Sequence, residues 1–156
     1  MRIRQYVYLA LTSSKLSASQ IGQRIGLEPD EVGVLGSRRA DPPRPPRHTW
    51  KLVCREPGLR VDEQIGQLLV RLRPHRDAIA EFARELRRDD PNHGGGRFFV
   101  VRNFDHEDGE EELLSPPDAE FQKLPGQHQL LGFDLDAELM AFLVEAQADL
   151  DVDEYG

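Results

Sequence analysis

The chain has 156 residues, of which 38% are hydrophobic and 31% are charged, and its formal net charge at pH 7 is -8. This length and composition are typical of one folded domain with a core of ordinary size, so we interpret residues 1–156 as a single domain. The composition argues against a membrane span, which needs roughly 18 apolar residues in a row, and the one cysteine excludes an internal disulfide and a multi-cysteine metal site.

The first predicted elements are a strand and a short helix. Apolar residues alternate with other residues from Ile3 to Leu11, which is the period of a strand with one buried face. Ser17 and Gln20 have the spacing of a capping box, and apolar residues then recur at intervals of three and four. The pattern predicts a helix that ends at Gly26, where a left-handed residue is favoured.

A long connection over residues 28–48 is predicted to be irregular. The segment Pro-Pro-Arg-Pro-Pro favours a stiff, extended conformation. Residues 38–50, which we call the basic arm, begin with a concentrated group of cations: Arg38, Arg39, Arg44 and Arg47. A second strand is predicted to start near His48 and to turn Trp50, Leu52 and Cys54 toward the core.

The middle of the chain predicts two helices and the strongest strand. Asp62 is the predicted cap of the first helix, and Pro74 is predicted to interrupt it and start the second one. Residues 91–96 have the composition of a turn. Residues 97–104 are apolar on both faces of a strand, which predicts a central position in the sheet.

The C-terminal part begins with a predicted acidic loop over residues 105–120 and a weaker strand around 129–133. Asp136 is the predicted cap of the last helix. In the final strand apolar residues alternate with Asp149, Asp151 and Asp153, so the three carboxylates share one face. Charges at this position protect an edge strand from unwanted pairing.

The order of elements, β-α-β-α-α-β-β-α-β, predicts the α+β class. We expect a two-layer sandwich in which helices pack on one face of a mostly antiparallel sheet. The two β-α-β segments suit a ferredoxin-like arrangement with insertions.

The sequence of features resembles a bacterial family catalogued as domain of unknown function 4279. The resemblance is carried by the Ser-led helix ending in Ile-Gly-Leu-Glu-Pro at residues 25–29, Gly36, the Trp-Lys-Leu strand at residues 50–52 and the acidic strand at residues 148–155. It implies a small intracellular α+β module and supplies no activity or catalytic residues.

The candidate ligand site is the basic arm, because forked guanidinium groups suit phosphate or carboxylate. Its residues are Arg38, Arg39, Arg47, His48 and Trp50. The alternatives are that the arginines pack on the protein's own acidic half and that Trp50 is a core residue.

From the remaining motifs we predict no cofactor, no bound metal and no set of catalytic residues. The acidic loop fails the register of a calcium-binding loop, and the histidines show no metal-binding pair. Cys54 shares the inward face of its strand and is interpreted as a core residue.

The distribution of charge motivates the functional hypotheses. Residues 1–88 contain 17 Lys and Arg against 10 Asp and Glu, whereas residues 89–156 contain 3 against 18. Either the two halves pair with each other, or the acidic surface attracts a basic protein partner. The leading hypothesis is a non-enzymatic, cytoplasmic protein-binding module, for example an immunity-type inhibitor of a basic toxin.

The alternative hypothesis is a small enzyme or anion-binding domain with its site near the basic arm. Self-association through an exposed sheet edge is a further possibility. Nucleic acid is disfavoured, because the chain is acidic overall and shows no recognition helix.

Overall fold

A computed structural model describes residues 2–36, 47–105 and 132–155 of the chain. Within these ranges the backbone forms five strands and four α-helices. The strands are β1 (Arg2–Ser13), β2 (Glu31–Gly33), β3 (His48–Cys54), β4 (Gly95–Asp105) and β5 (Asp149–Tyr155). The helices are α1 (Ala18–Ile25), α2 (Val61–Leu72), α3 (Arg76–Asp89) and α4 (Ala137–Ala146), and a 3-10 turn over Arg73–His75 joins α2 to α3.

The strands form one sheet in the order β2-β3-β1-β4-β5. Neighbours are antiparallel except for β4 and β5, which are parallel. The first four strands have the order and directions of a ferredoxin-like sheet, and α4 and β5 add a fifth strand beside β4. The predicted α+β class and mostly antiparallel sheet are therefore confirmed.

The core lies between the helices and one face of the sheet. This face carries the alternating residues Val7, Leu9 and Leu11 of β1, paired across the sheet with inward residues of β3 and β4. Buried residues from all four described helices join them in one cluster. Burial of these apolar side chains is the main favourable contribution to folding.

The predicted helix ends agree with the structure at several points. Ser17 accepts a hydrogen bond from the Gln20 amide and the Gln20 side chain accepts one from the Ser17 amide, which completes the capping box. Gly26 has a φ of +69°, in the left-handed region that glycine adopts at low cost. Asp136 caps α4 by accepting from the Leu139 amide, and Pro74 lies at the break between α2 and α3.

Two predictions differ from the structure at this level. The irregular connection contains the short strand β2, which pairs with β3. Helix α2 begins at Val61 with Arg60 as its N-cap, and Asp62 lies in the first turn, where a carboxylate is favourable to the helix dipole. The prediction of a cap at Asp62 was therefore wrong by two residues.

The strand predicted at residues 129–133 falls mainly outside the described residues, and its last two residues, Gly132 and Phe133, are not in a strand. Residues 106–120 of the predicted acidic loop also lie outside the described part, while Asp105 ends β4.

The strand predicted to be central, residues 97–104, corresponds to β4, which has a neighbour on each side, although β1 occupies the middle of the sheet. The apolar residues on both faces of β4 have separate roles. Phe98 and Val100 are fully buried under the helices, whereas Phe99 stacks on Tyr8 on the opposite face. Among the described strands, the acidic strand β5 is at the edge of the sheet.

Candidate functional site

The sheet face opposite the helices carries a concentrated set of aromatic and cationic side chains. We call it the bare face, and its side chains alternate with the core residues along each strand. Its central members are Tyr6, Tyr8 and Ala10 of β1, Lys51 of β3, and Arg97 and Phe99 of β4. They line a concavity of about 610 Å³, a size within the range of small-molecule sites.

The strand register places Ala10 directly between two cations. Ala10 pairs with Lys51 on one side and with Arg97 on the other. Because neighbouring strands lie about 4.8 Å apart, the two cationic residues face each other over a methyl group with their backbones roughly 10 Å apart. A small residue between two long cationic ones produces a depression in the sheet surface.

Aromatic rings form one end of this depression. Tyr8 and Phe99 are cross-strand partners whose ring centroids are 4.5 Å apart with an interplanar angle of 14°. The Lys51 ammonium lies 4.5 Å from the Tyr8 centroid, and the Arg97 guanidinium lies 5.9 Å from the Phe99 centroid. The cations thus cover ring faces, which are the electron-rich part of an aromatic side chain.

On the same face, carboxylates of the neighbouring strands β2 and β5 lie next to these cations. Glu31 lies 3.8 Å from the Lys51 ammonium on the β2 side. On the β5 side Arg97 lies 3.7 Å from Asp149 and 3.4 Å from Asp151. These separations exceed a direct charged hydrogen bond of about 2.8 Å.

Arg47 and Arg87 also line the concavity, and Arg87 donates to Asp149 at 2.7 Å. Burial and the neighbouring Arg97 lower the pKa of Arg47, while Tyr8 and Asp151 act in the opposite direction. Arginine remains protonated at any physiological pH, so two like charges are held near each other on this face. An anion placed between them would relieve the repulsion.

Three of the predicted site residues are described, and these three are not brought together. Arg47 lines the concavity, but His48 and Trp50 belong to the alternation that faces the helices. Trp50 is fully buried and its indole Nε1 donates to the Leu27 carbonyl at 3.1 Å, in line with the core alternative for this residue. The His48 Nδ1 accepts from the Leu35 amide at 3.3 Å, and Arg38 and Arg39 lie outside the described residues.

The residues that sequence reasoning missed are Tyr8, Lys51, Arg97 and Phe99. A signal was present for Tyr8 and Lys51, which occupy outward positions in strands whose inward faces had been identified correctly. Arg97 and Phe99 lie in β4, which was predicted to be apolar on both faces. The cross-strand register, which brings the four together, was not accessible from the alternation alone.

A second concavity of about 440 Å³ lies on the same face. It shares Tyr6 and Tyr8 with the first one, and its cations are Arg4 and Arg55. The Arg55 guanidinium lies 3.9 Å from the Tyr6 centroid and its Nη2 donates to Glu31 at 2.7 Å. The two concavities therefore follow one another along β1.

Other candidate groups have structural partners. Cys54 is buried and its thiol donates to the Gln67 side-chain oxygen at 3.3 Å, as expected for a core residue. Residues 91–94 precede β4 as a turn, as predicted. In the described ranges no group of three or more His, Cys, Asp or Glu is placed to hold a metal ion. None of the helices described here has the length and apolar character needed to cross a membrane.

Comparison with known proteins gives one match. The sequence model of a family described as "Domain of unknown function (DUF4279)" matches residues 3–156, nearly the whole chain. No curated protein matches the sequence, and no solved structure matches the fold.

Proposed function

Because the chain belongs to the DUF4279 family, as its order of features indicated, and the family's description assigns no activity, we propose a function from the bare face itself. The protein is a non-enzymatic binding domain that takes an anionic group into the larger concavity. The group is a phosphate or a carboxylate, since both match forked guanidinium donors.

The observation that carries this proposal is the convergence of Arg47, Lys51 and Arg97 on one depression. Three long cations around an alanine provide donors from several directions. Of the two functional hypotheses, the anion-binding one thus receives the more specific support.

A direct test uses sodium pyrophosphate as the probe. We expect amide signals of β1, β3 and β4 to shift in a two-dimensional NMR titration at constant ionic strength. Arg47→Gln and Arg97→Gln should each weaken binding roughly fivefold, because each removes one partly exposed ion pair of about 1 kcal/mol.

Arg88→Gln is the matched control, because Arg88 is an exposed arginine of α3 that does not line the concavity. It makes the same change in net charge and should leave the titration unchanged. Equal weakening by all three variants would mean that pyrophosphate responds to net charge alone, and the proposed site would then be wrong.

A second candidate function concerns the acidic edge of the sheet. Among the described strands, β5 pairs only with β4, and it presents Asp149, Asp151 and Asp153 along one face. A basic protein partner, as in an immunity-type complex, would be complementary to this edge. The test is capture of a partner from cell lysate. Capture at low salt that is lost at high salt, and lost in the double variant Asp151→Asn with Asp153→Asn, would support this function. Capture that does not depend on salt would contradict it.

We also place the protein in the bacterial cytoplasm. The buried, unmodified thiol of Cys54 is compatible with a reducing compartment.

A further inference from the structure

The second concavity of the bare face contains charges of both signs on opposite sides. Its cations, Arg4 of β1 and Arg55 of β3, lie on one side, and its carboxylate, Asp153 of β5, lies on the other. Strand β4 runs between the two sides. A ligand in this cavity therefore meets a positive wall and a negative wall at once.

Arg4 and Asp153 are the charges of this cavity whose side chains have no ion-pair partner among the described residues. Arg55, by contrast, donates to Glu31 at 2.7 Å. The two other outward acids of β5 each lie beside an arginine. One cation and one carboxylate of the same cavity are thus left with water as their partner.

The sheet geometry explains why these two residues do not pair with each other. Because β4 separates them, their backbones are two strand spacings apart, roughly 10 Å, and they are in adjacent rows of the face. Val101 of β4, which is 5% exposed, lies between them as an apolar floor. Opposite charges on either side of an apolar floor leave a gap that a molecule with both charges can bridge.

We propose that the second concavity binds a small zwitterion of the amino-acid class. The carboxylate of the ligand pairs with the Arg4 guanidinium, and its ammonium pairs with the Asp153 carboxylate. This arrangement selects against ligands with one charge, because a plain carboxylate is repelled by Asp153 and a plain amine is repelled by Arg4. The site is separate from the one proposed for pyrophosphate, although Tyr6 and Tyr8 line both concavities.

The test compares three probes of similar size: γ-aminobutyrate, butyrate and butylamine. The first carries both charges at neutral pH, and the others carry one each. In two-dimensional NMR titrations at constant ionic strength, we expect γ-aminobutyrate to bind roughly fivefold more tightly than either analogue, because only it forms both ion pairs. Shifts of the amides of Arg4, Asn103 and Asp153 should locate it.

Two variants test the assignment of the charges. Asp153→Asn should weaken the binding of γ-aminobutyrate roughly fivefold and remove its advantage over butyrate. Arg4→Gln should weaken it by a similar factor and remove its advantage over butylamine. Asp151→Asn is the matched control, because it makes the same change in charge on the same face of β5 at a residue that does not line this cavity. It should leave all three titrations unchanged, and circular dichroism confirms that each variant is folded.

Several results would overturn the inference. Equal binding of the three probes would do so, and so would equal weakening by Asp151→Asn and Asp153→Asn. Strong coupling between Arg4→Gln and Asp153→Asn in a double-mutant cycle of unfolding free energies would mean that the two side chains pair with each other and leave no gap.

Pyrophosphate separates this inference from the proposed anion site. Arg47→Gln should weaken the binding of pyrophosphate and leave that of γ-aminobutyrate unchanged. Loss of both ligands in this variant would mean that a single site takes both, and the second site would then be wrong. If γ-aminobutyrate binds as expected and pyrophosphate does not bind at all, the zwitterion site stands and the proposed anion site is wrong.

Discussion

Ala10 occupies the position between Lys51 and Arg97, and it is almost fully buried, at 2% exposure. A longer side chain at this position would project into the concavity that Ala10 helps to line. The size of one residue in the middle strand thus determines whether the bare face is concave or flat at this point.

Replacement of Ala10 by glutamate should block the site from within. The new carboxylate would pair with the flanking cations, so we expect pyrophosphate to cause no NMR shifts in Ala10→Glu. Ala10→Ser adds one oxygen without charge and should retain binding. Loss of binding in both variants would indicate damage to the sheet instead of occupation of the site.

Trp50 combines a large buried surface with a specific hydrogen bond. It is fully buried, and its Nε1 donates to the Leu27 carbonyl at 3.1 Å. Trp50→Phe leaves that carbonyl without its partner and reduces the packed volume, so we expect a loss of roughly 2 kcal/mol in the free energy of unfolding.

Guanidinium unfolding followed by circular dichroism measures this effect, because the variant removes the protein's single tryptophan and with it the usual fluorescence signal. Tyr155→Phe, at a position 55% exposed, is the control and should leave stability unchanged. An unaltered midpoint for Trp50→Phe would show that the indole is not held as described.

Asp30 should make stability depend on pH in the acid range. Burial raises the pKa of Asp30, but hydrogen bonds from Arg71 and from the Val53 amide outweigh it and lower the pKa overall. A folded-state pKa below the unfolded value of about 3.9 means that the stabilisation is fully present above that pH. It is lost as the pH falls through the folded-state pKa.

We therefore expect Asp30→Asn to lower the urea midpoint at pH 7 and to have a smaller effect at pH 3. Arg71→Gln should show the same convergence with the wild type, since it removes the other partner of the pair. A difference between wild type and Asp30→Asn that stays constant from pH 7 to pH 3 would contradict this assignment.

At the scale of elements, local signals account for most helix ends and for the inward faces of β1 and β3. The residues predicted to begin, end or interrupt helices do so in the structure; they are Ser17, Gly26, Pro74 and Asp136. Strand β2 was missed because it has three residues, of which Val32 is 59% exposed, so it shows no alternation. It depends on tertiary contacts: the Asp30 amide donates to the Lys51 carbonyl, and the Asp30 carboxylate accepts from the Val53 amide.

The capping box of α1 provides a test at this scale. Ser17→Ala removes the acceptor for the Gln20 amide, and such a change costs about 1 kcal/mol. A urea unfolding series should show this loss for Ser17→Ala and a much smaller one for Ser17→Asp, whose carboxylate caps equally well. Equal losses would mean that the hydroxyl, and not its role as a cap, is required.

At the scale of the whole molecule, the basic and acidic parts of the sequence pair with each other in the described structure. Among the described residues, the ion pairs that connect residues 1–88 with residues 89–156 are Arg73–Glu138, Arg76–Glu145 and Arg87–Asp149. They join α3 and the turn before it to α4 and β5. The asymmetry seen in the sequence is thus partly neutralised within the fold, which weakens the original reason for expecting a basic partner.

Such exposed pairs contribute little individually, and a charge exchange can show this. Arg76→Glu should lower the free energy of unfolding by less than about 1 kcal/mol through repulsion with Glu145. Adding Glu145→Arg should restore the wild-type midpoint in urea. A double variant no more stable than Arg76→Glu would indicate that these side chains do not interact in solution.

The candidate site was less predictable than the fold. Guanidinium chemistry identified the basic arm, and Arg47 does line the concavity, but its neighbours come from strands distant in sequence. Residue pairs such as Ala10 with Lys51 and Ala10 with Arg97 depend on strand order and register. These are global properties that no local pattern specifies.

The position of β1 also has a consequence for biosynthesis. This strand pairs with β3 and β4. During synthesis, Val7 can therefore form its strand pairs only after first Cys54 and then Val100 have emerged from the ribosome. Sheets built from such distant pairings form slowly, and their unpaired strands are prone to aggregate. The nascent chain is therefore expected to need chaperone protection until β4 has emerged.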